Sequence, residues 1–335
     1  MTICGANGEE QSEHCRLRSK PAVAQHRVRR KGRGLTPSRE SQDYLRELRK
    51  HPAFGAVGND FNLGALRQGM GMRQEPADKN VRCLRTRVGD MPCEWVVAPG
   101  ADAELRLLYL HGGGFVSGSG ANYLPLGALL SAAAQCAVLL PDYRLAPEHR
   151  FPAAVEDCVR AYEWMMAHGP LGQTSARAAF VAGDSAGGNL TLATLLVLRD
   201  RRRPLPLAGI ALSACTDLTL SSESLRTEED PICSARAMPF FADLYLGGAD
   251  PRNPLASPVF GDYTGIPPLL VQVGEHEMLR DDSIRVAAKA RADGADVKLE
   301  VWPGQVHVFQ IRGLPESQQA IESIADFMRA SLARR

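Results

Sequence analysis

The chain is expected to fold as one doubly wound α/β domain, and three observations carry that expectation. Apolar strand-like runs alternate with helix-like runs from about residue 80 onward. Two glycine-rich turns, His111-Gly112-Gly113-Gly114-Phe115 and Gly183-Asp184-Ser185-Ala186-Gly187, each follow directly on such a strand run. A length of 335 residues with 44% hydrophobic content supports a substantial core, which favours a single domain over two independent ones.

In chain order, short strands are expected near 82–86 and 94–97, followed by strands over 105–110 and 137–140. Residues 178–182 read as a buried strand and 189–198 as the helix behind it. Strands at 209–213, 269–273 and 297–301 continue the alternation. The final helix, 317–330, carries Ile321, Ile324, Ala325 and Met328 at helical spacing, so one face packs on the sheet. A long insert, 217–262, interrupts the alternation, and within it 238–246 reads as an apolar helix too hydrophobic for free solvent. We read that helix as part of a cap. Met238, Phe241 and Leu244 are candidates for closing over a substrate, with packing against an N-terminal helix as the alternative. Residues 41–49 suggest such a helix. The expected organisation is a basic, disordered extension over 1–40, N-terminal cap helices over 41–75, and the main domain over 76–335 with a cap insertion at 217–262.

Between Arg16 and Arg33 there are eight basic residues and no acidic one, with few large apolar groups, the composition of a solvated segment. A net charge of +1 argues against nucleic acid as the main partner. No 18-residue apolar run is present, so stable membrane insertion is not expected. Glu9, Glu10 and Glu13 stand where a secretory leader needs an apolar stretch. The eight cysteines lack C-x-x-C spacing, and Cys136, Cys158 and Cys215 lie in or beside core runs, as reduced thiols of a cytoplasmic protein would.

Chemistry is concentrated in the two glycine turns. Strand, sharp turn and helix around Ser185 form the geometry that lifts a serine hydroxyl above a sheet. The backbone N–H of Ala186, at the helix start, points into the same space and can bind developing negative charge. Either turn alone could be structural: a glycine-rich turn around a serine, or a flexible loop. Three successive glycines after a strand also let main-chain amides approach a ligand, and HGGG ahead of G-x-S-x-G is the paired arrangement of lipases and esterases.

With these motifs the chain resembles the hormone-sensitive-lipase-like branch of the α/β-hydrolase fold, the bacterial family IV carboxylesterases. Pro141-Asp142-Tyr143-Arg144-Leu145-Ala146-Pro147-Glu148, Phe151-Pro152-Ala153-Ala154, and Asp250-Pro251 followed by Asn253-Pro254-Leu255-Ala256-Ser257-Pro258 agree with that branch, and the likeness spans about 70–335. It implies a mostly parallel central sheet of about eight strands, helices on both faces and a helical cap.

A serine nucleophile needs a base and an orienting carboxylate, in the chain order Ser, acid, His. Only His276 and His307 follow Ser185. His307 lies just after the strand expected at 297–301, where the fold places functional groups, whereas His276 reads as a solvated loop residue beside the acid position. The resembled family has Asp-Pro-Leu before Arg-Asp at that position. Here the stretch is Glu277-Met278-Leu279-Arg280-Asp281-Asp282, which sets Glu277 where the family's aspartate stands. Asp281 and Asp282 compete for the role, but they precede a helix-like run and suit its N-terminal dipole. The expected site is therefore Ser185, Glu277 and His307, with Gly113, Gly114 and Ala186 as oxyanion donors and no metal or organic cofactor. Asp184, His111, Tyr143 and Arg144 are expected to brace the loops rather than meet the substrate.

The implied activity is hydrolysis of short- to medium-chain esters, with a small-molecule ester as substrate. An amide deacetylase or lactone hydrolase would use the same residues. A binding protein similar to the plant gibberellin receptors would not need the base. The resemblance also implies a homodimer through the edge strand 297–301.

Overall fold

The computed structural model describes residues 36–51 and 62–334. The basic extension expected over 1–40 lies outside the described residues except for its last five positions. The helix expected from residue 41 begins earlier, as α1 (Arg39–Lys50), because Ser38 Oγ accepts the free N–H of Ser41 at 3.1 Å. A second short helix follows, α2 (Leu63–Met70).

Two antiparallel strands, β1 (Arg82–Val88) and β2 (Met91–Val97), lead into β3 (Asp102–Leu110), α3 (Leu124–Ala134), β4 (Cys136–Pro141) and α4 (Ala153–Ala167). A two-residue hairpin, β5 (His168–Gly169) with β6 (Gly172–Gln173), precedes β7 (Ala178–Asp184), α5 (Ala186–Asp200) and β8 (Gly209–Leu212). The insert then supplies α6 (Ser224–Thr227) and α7 (Met238–Leu246) before β9 (Leu269–His276), α8 (Arg280–Ala292), β10 (Val297–Val306) and α9 (Pro315–Ala333).

The eight-stranded sheet has the order β1-β2-β4-β3-β7-β8-β9-β10, parallel from β4 through β10. β4 and β7 are buried along their whole length, which is why they read as continuous apolar runs. β1 instead exposes Arg82, Arg85 and Arg87, and this row of charge blunts the sheet edge. Ile321, Ile324, Ala325 and Met328 of α9 share a core with β3, β4 and α3, as their spacing predicts. The opposite face is covered by α4 and α5, and α5 is so enclosed that every residue from Ala186 to Leu198 is buried.

The order of strands places the site. After β3 the chain steps outward to β4, then crosses back to β7 on the other side of β3, so the winding reverses between β3 and β7. At such a reversal the loops leaving adjacent strand ends diverge and open a crevice. Leu110 pairs with Gly183 across that boundary, which sets the two glycine turns side by side.

β10 departs from expectation. Its apolar run ends at Val301, but after an irregularity between Trp302 and Val306 the strand rejoins β9, with Val306 opposite His276. The irregularity bends the strand without ending it. His276, expected in a solvated loop, is instead the half-buried last residue of β9.

Candidate functional site

Ser185 occupies the tight turn between β7 and α5 with φ 54° and ψ −117°, a conformation non-glycine residues avoid. The turn is over-determined: Ser185 N donates to Leu212 O at 2.8 Å, and Ser185 O accepts from Asn189 N and Cys215 N, each at 3.1 Å. Glycine is required at 187 because a Cβ there would stand 2.0 Å from the Leu110 carbonyl oxygen. The companion loop after β3 folds on itself through Gly113 O, which accepts from Val116 N at 3.2 Å and Ser117 N at 3.1 Å. Gly113 has φ 121°, and a Cβ on it would meet Ser117 O at 2.2 Å.

Asp184 lies beneath these loops. Its carboxylate accepts from Tyr109 Oη and Tyr123 Oη, both at 2.9 Å, and from Gly112 N at 3.2 Å. Burial raises its pKa above the ordinary aspartate value, although both tyrosine hydrogen bonds oppose the shift. His111 stacks on Tyr143 with ring centroids 4.2 Å apart, its Nδ1 lies 2.8 Å from Gly112 O, and burial pulls its pKa down to about 4. Tyr143 Oη donates to the His111 carbonyl at 2.7 Å, and Arg144 pairs with Asp157 at 2.9 Å. All four residues brace the loops.

The bend in β10 decides which acid meets the histidine. With Val306 opposite His276, the next residues of both strands meet, and His307 Nδ1 stands 3.1 Å from Glu277 Oε2. Glu277 is fully buried, and its other oxygen accepts from Ser213 Oγ at 2.8 Å and from Gly274 N. Ser213 Oγ also accepts from Val308 N at 3.1 Å, so one hydroxyl fixes both sides of the pair. Asp281 turns instead to Ser224 N at 2.9 Å, and Asp282 to Thr216 N at 2.7 Å and Asp217 N at 2.9 Å. Both do lie in the first turn of α8, as expected, but buried Asp282 pins the start of the insert in addition to facing the helix dipole.

Ser185, Ala186, Gly113, Gly114 and His307 line one cavity of about 360 Å³. Above them its wall is apolar: Leu66 and Met70 of α2, Ile232, and Met238 and Phe241 of α7. Leu244 packs against the core, and α1 rests on β10 and α9, so α2 is the N-terminal helix that shares the cavity with α7.

Two contacts escaped the sequence reading. One is the Ser213 support described above. The other is Cys233, on the cavity wall, whose thiol sulfur lies within 4.8 Å of a ring nitrogen of His307. Burial pushes the Cys233 thiol up. Burial works against charge on His307, whereas the Glu277 carboxylate beside it favours the charged form. The only sequence signal at Cys233 is the turn that begins with Asp230-Pro231, and it does not disclose what the thiol meets.

Comparison with known proteins agrees with this architecture. A family model described as the alpha/beta hydrolase fold matches residues 107–311. An acetyl-hydrolase of Streptomyces hygroscopicus is 41% identical over 249 residues, which are 73% of this chain and 81% of that protein. An esterase of Acinetobacter venetianus is 34% identical over 257 residues, 75% of this chain and 83% of the relative. Among solved structures, an esterase from the bacterial hormone-sensitive lipase family is 40% identical with a TM-score of 0.78, covering 89% of this chain and 99% of that one. The matched span holds both glycine turns, Glu277 and His307, and the chain belongs to the alpha/beta hydrolase fold family, in its hormone-sensitive-lipase branch.

Proposed function

We propose that the protein is a serine carboxylesterase, with Ser185 as nucleophile, His307 as general base, Glu277 as orienting acid, and the N–H groups of Gly113, Gly114 and Ala186 as oxyanion donors. The observation that carries this reading is convergence: the strained serine, the glycine amides and the Glu277-bound imidazole all face one cavity. Glu277 takes Nδ1–H, which leaves the Nε2 lone pair of His307 as the proton acceptor. Ser185 Oγ attacks the ester carbonyl as its proton passes to Nε2, and the amides bind the tetrahedral oxyanion, each worth roughly 3–4 kcal/mol. The imidazolium protonates the departing alkoxide. Water then enters, gives its proton to Nε2, and hydrolyses the acyl-enzyme.

The apolar cavity of about 360 Å³ favours short- to medium-chain acyl groups. The names of the acetyl-hydrolase and esterase relatives support the same substrate class. Free thiols at the six described cysteines, with no described helix long and apolar enough to cross a membrane, support a cytoplasmic enzyme. Pairing through β10, the last strand of the sheet, is the dimer this reading includes.

A fluorophosphonate probe should label the folded protein one-to-one at Ser185, and Ser185→Ala should abolish both labelling and p-nitrophenyl butyrate hydrolysis. Hydrolysis retained by Ser185→Ala, or labelling at another residue, would refute the assignment.

A further inference from the structure

Cys233 has no part in the hydrolysis proposed above, yet its sulfur lies within 4.8 Å of a ring nitrogen of the imidazole that does. Asp230 lies beside both, and one donor atom from each of Asp230, Cys233 and His307 lies within 4.8 Å of the others. Thiolate, imidazole and carboxylate form a donor set that zinc takes at about 2.0–2.3 Å in a tetrahedral array. Donors around such an ion stand about 3.5 Å apart, so closing this cluster needs shifts of about an ångström.

Two of the donors are already oriented. Glu277 holds Nδ1 of His307 at 3.1 Å, the carboxylate support that metal-binding histidines use, which leaves Nε2 for an ion. The Asp230 carboxylate is fixed by backbone donors: Ile232 N at 2.8 Å and Cys233 N at 3.0 Å to Oδ1, and Met278 N at 3.1 Å to Oδ2. Oδ1 is engaged by two donors, whereas Oδ2 accepts only one and keeps a lone pair for a metal. Cys233, half-buried on the cavity wall, supplies the soft ligand where an ion can enter.

We propose that Asp230, Cys233 and His307 form an inhibitory site for a thiophilic divalent cation such as Zn²⁺. The ion takes the Nε2 lone pair that would receive the Ser185 proton, and the Cys233 thiol releases its own proton to solvent on coordination. Three protein ligands leave a fourth position for water. Here the ion is an inhibitor and not a cofactor of ester hydrolysis. Its effect on activity rests on His307 being the base, whereas its coordination does not.

Cobalt(II) titration of the metal-stripped full chain tests coordination apart from activity. The expected result is a thiolate-to-cobalt charge-transfer band that saturates near one equivalent, is displaced by Zn²⁺, and is lost in Cys233→Ala and in the closer-sized Cys233→Ser. In parallel, Zn²⁺ inhibition of p-nitrophenyl butyrate hydrolysis is measured for wild type, Cys233→Ser and Asp230→Asn, each against its own metal-free rate. The inhibition constant should rise by about tenfold or more in both variants. A missing band, a band undiminished in the Cys233 variants, or equal zinc inhibition in all three proteins overturns the site. A Cys233-dependent band in a protein with no metal-free esterase activity upholds the cation site and removes the hydrolase reading.

Discussion

Beneath the cavity the reacting groups are held by backbone: Ser185 through Leu212, Asn189 and Cys215, and the Gly113 loop through its own carbonyl. Above it, Leu66, Met70, Met238 and Phe241 reach the same space as apolar side chains from two separate helices. The floor therefore has its geometry fixed by backbone hydrogen bonds, whereas the roof presents apolar side chains to the substrate space. Floor substitutions should strike the chemical step, and roof substitutions should mainly change which substrate fits.

The largest effect is expected in the floor, at Glu277. In Glu277→Gln the amide oxygen would stay with the donors Ser213 Oγ and Gly274 N, turning the –NH₂ group toward His307 Nδ1. That donor would force the proton onto Nε2, the tautomer that cannot accept from Ser185, and kcat should fall about 10⁴-fold. Asp281→Asn, whose carboxylate serves Ser224, should leave kcat nearly unchanged. The two variants are compared by steady-state kinetics at matched folding, and the reverse ranking would move the acid role to Asp281.

The same division marks what the sequence disclosed. Gly113 and Gly187 were legible because backbone crowding admits no other residue there, and such demands leave motifs. The helix at 238–246 was legible to the residue, since it is apolar between turn signals. The return of β10 was hidden: Pro303-Gly304 breaks the apolar run, and only pairing with β9 keeps the strand going. Ser213, with φ 47°, and Cys233 make contacts across 64 and 74 positions of chain, to Glu277 and His307, and no local pattern encodes a long-range partner. Glu277 was reached only through resemblance. Its selection over Asp281 depends on the register of β9 and β10, which no single strand carries.

In the roof, Phe241 is packed so closely that a Cβ on Gly114 would lie 3.1 Å from its ring. Phe241→Ala should open space directly above the proposed oxyanion donors while leaving the floor bonds intact. Across a p-nitrophenyl series from acetate to decanoate, the ratio of kcat/KM for long over short chains should rise about tenfold, the scale of a one- or two-methylene change in pocket fit. An unchanged chain-length profile would mean that Phe241 packs the roof without shaping the substrate space.

The smallest effect on activity, and the clearest on stability, is expected where the insert that carries the roof is tied to the floor. Asp282 accepts from Thr216 N, Asp217 N and Ser222 Oγ at the start of the insert and does not line the cavity. Its burial outweighs these hydrogen bonds and raises its pKa to about 6. A carboxyl with a folded-state pKa above its unfolded value of about 3.9 stabilises most when protonated, so its contribution is full below that value and is lost as pH rises through about 6. Asp282→Asn keeps an acceptor for both backbone donors and removes the titration. The difference in unfolding free energy between wild type and variant should therefore shift against wild type by up to about 3 kcal/mol between pH 4 and pH 7, with kcat little changed. Denaturant unfolding of both proteins across that range measures it. A difference independent of pH would show that Asp282 is as free to ionise in the folded chain as in the unfolded one.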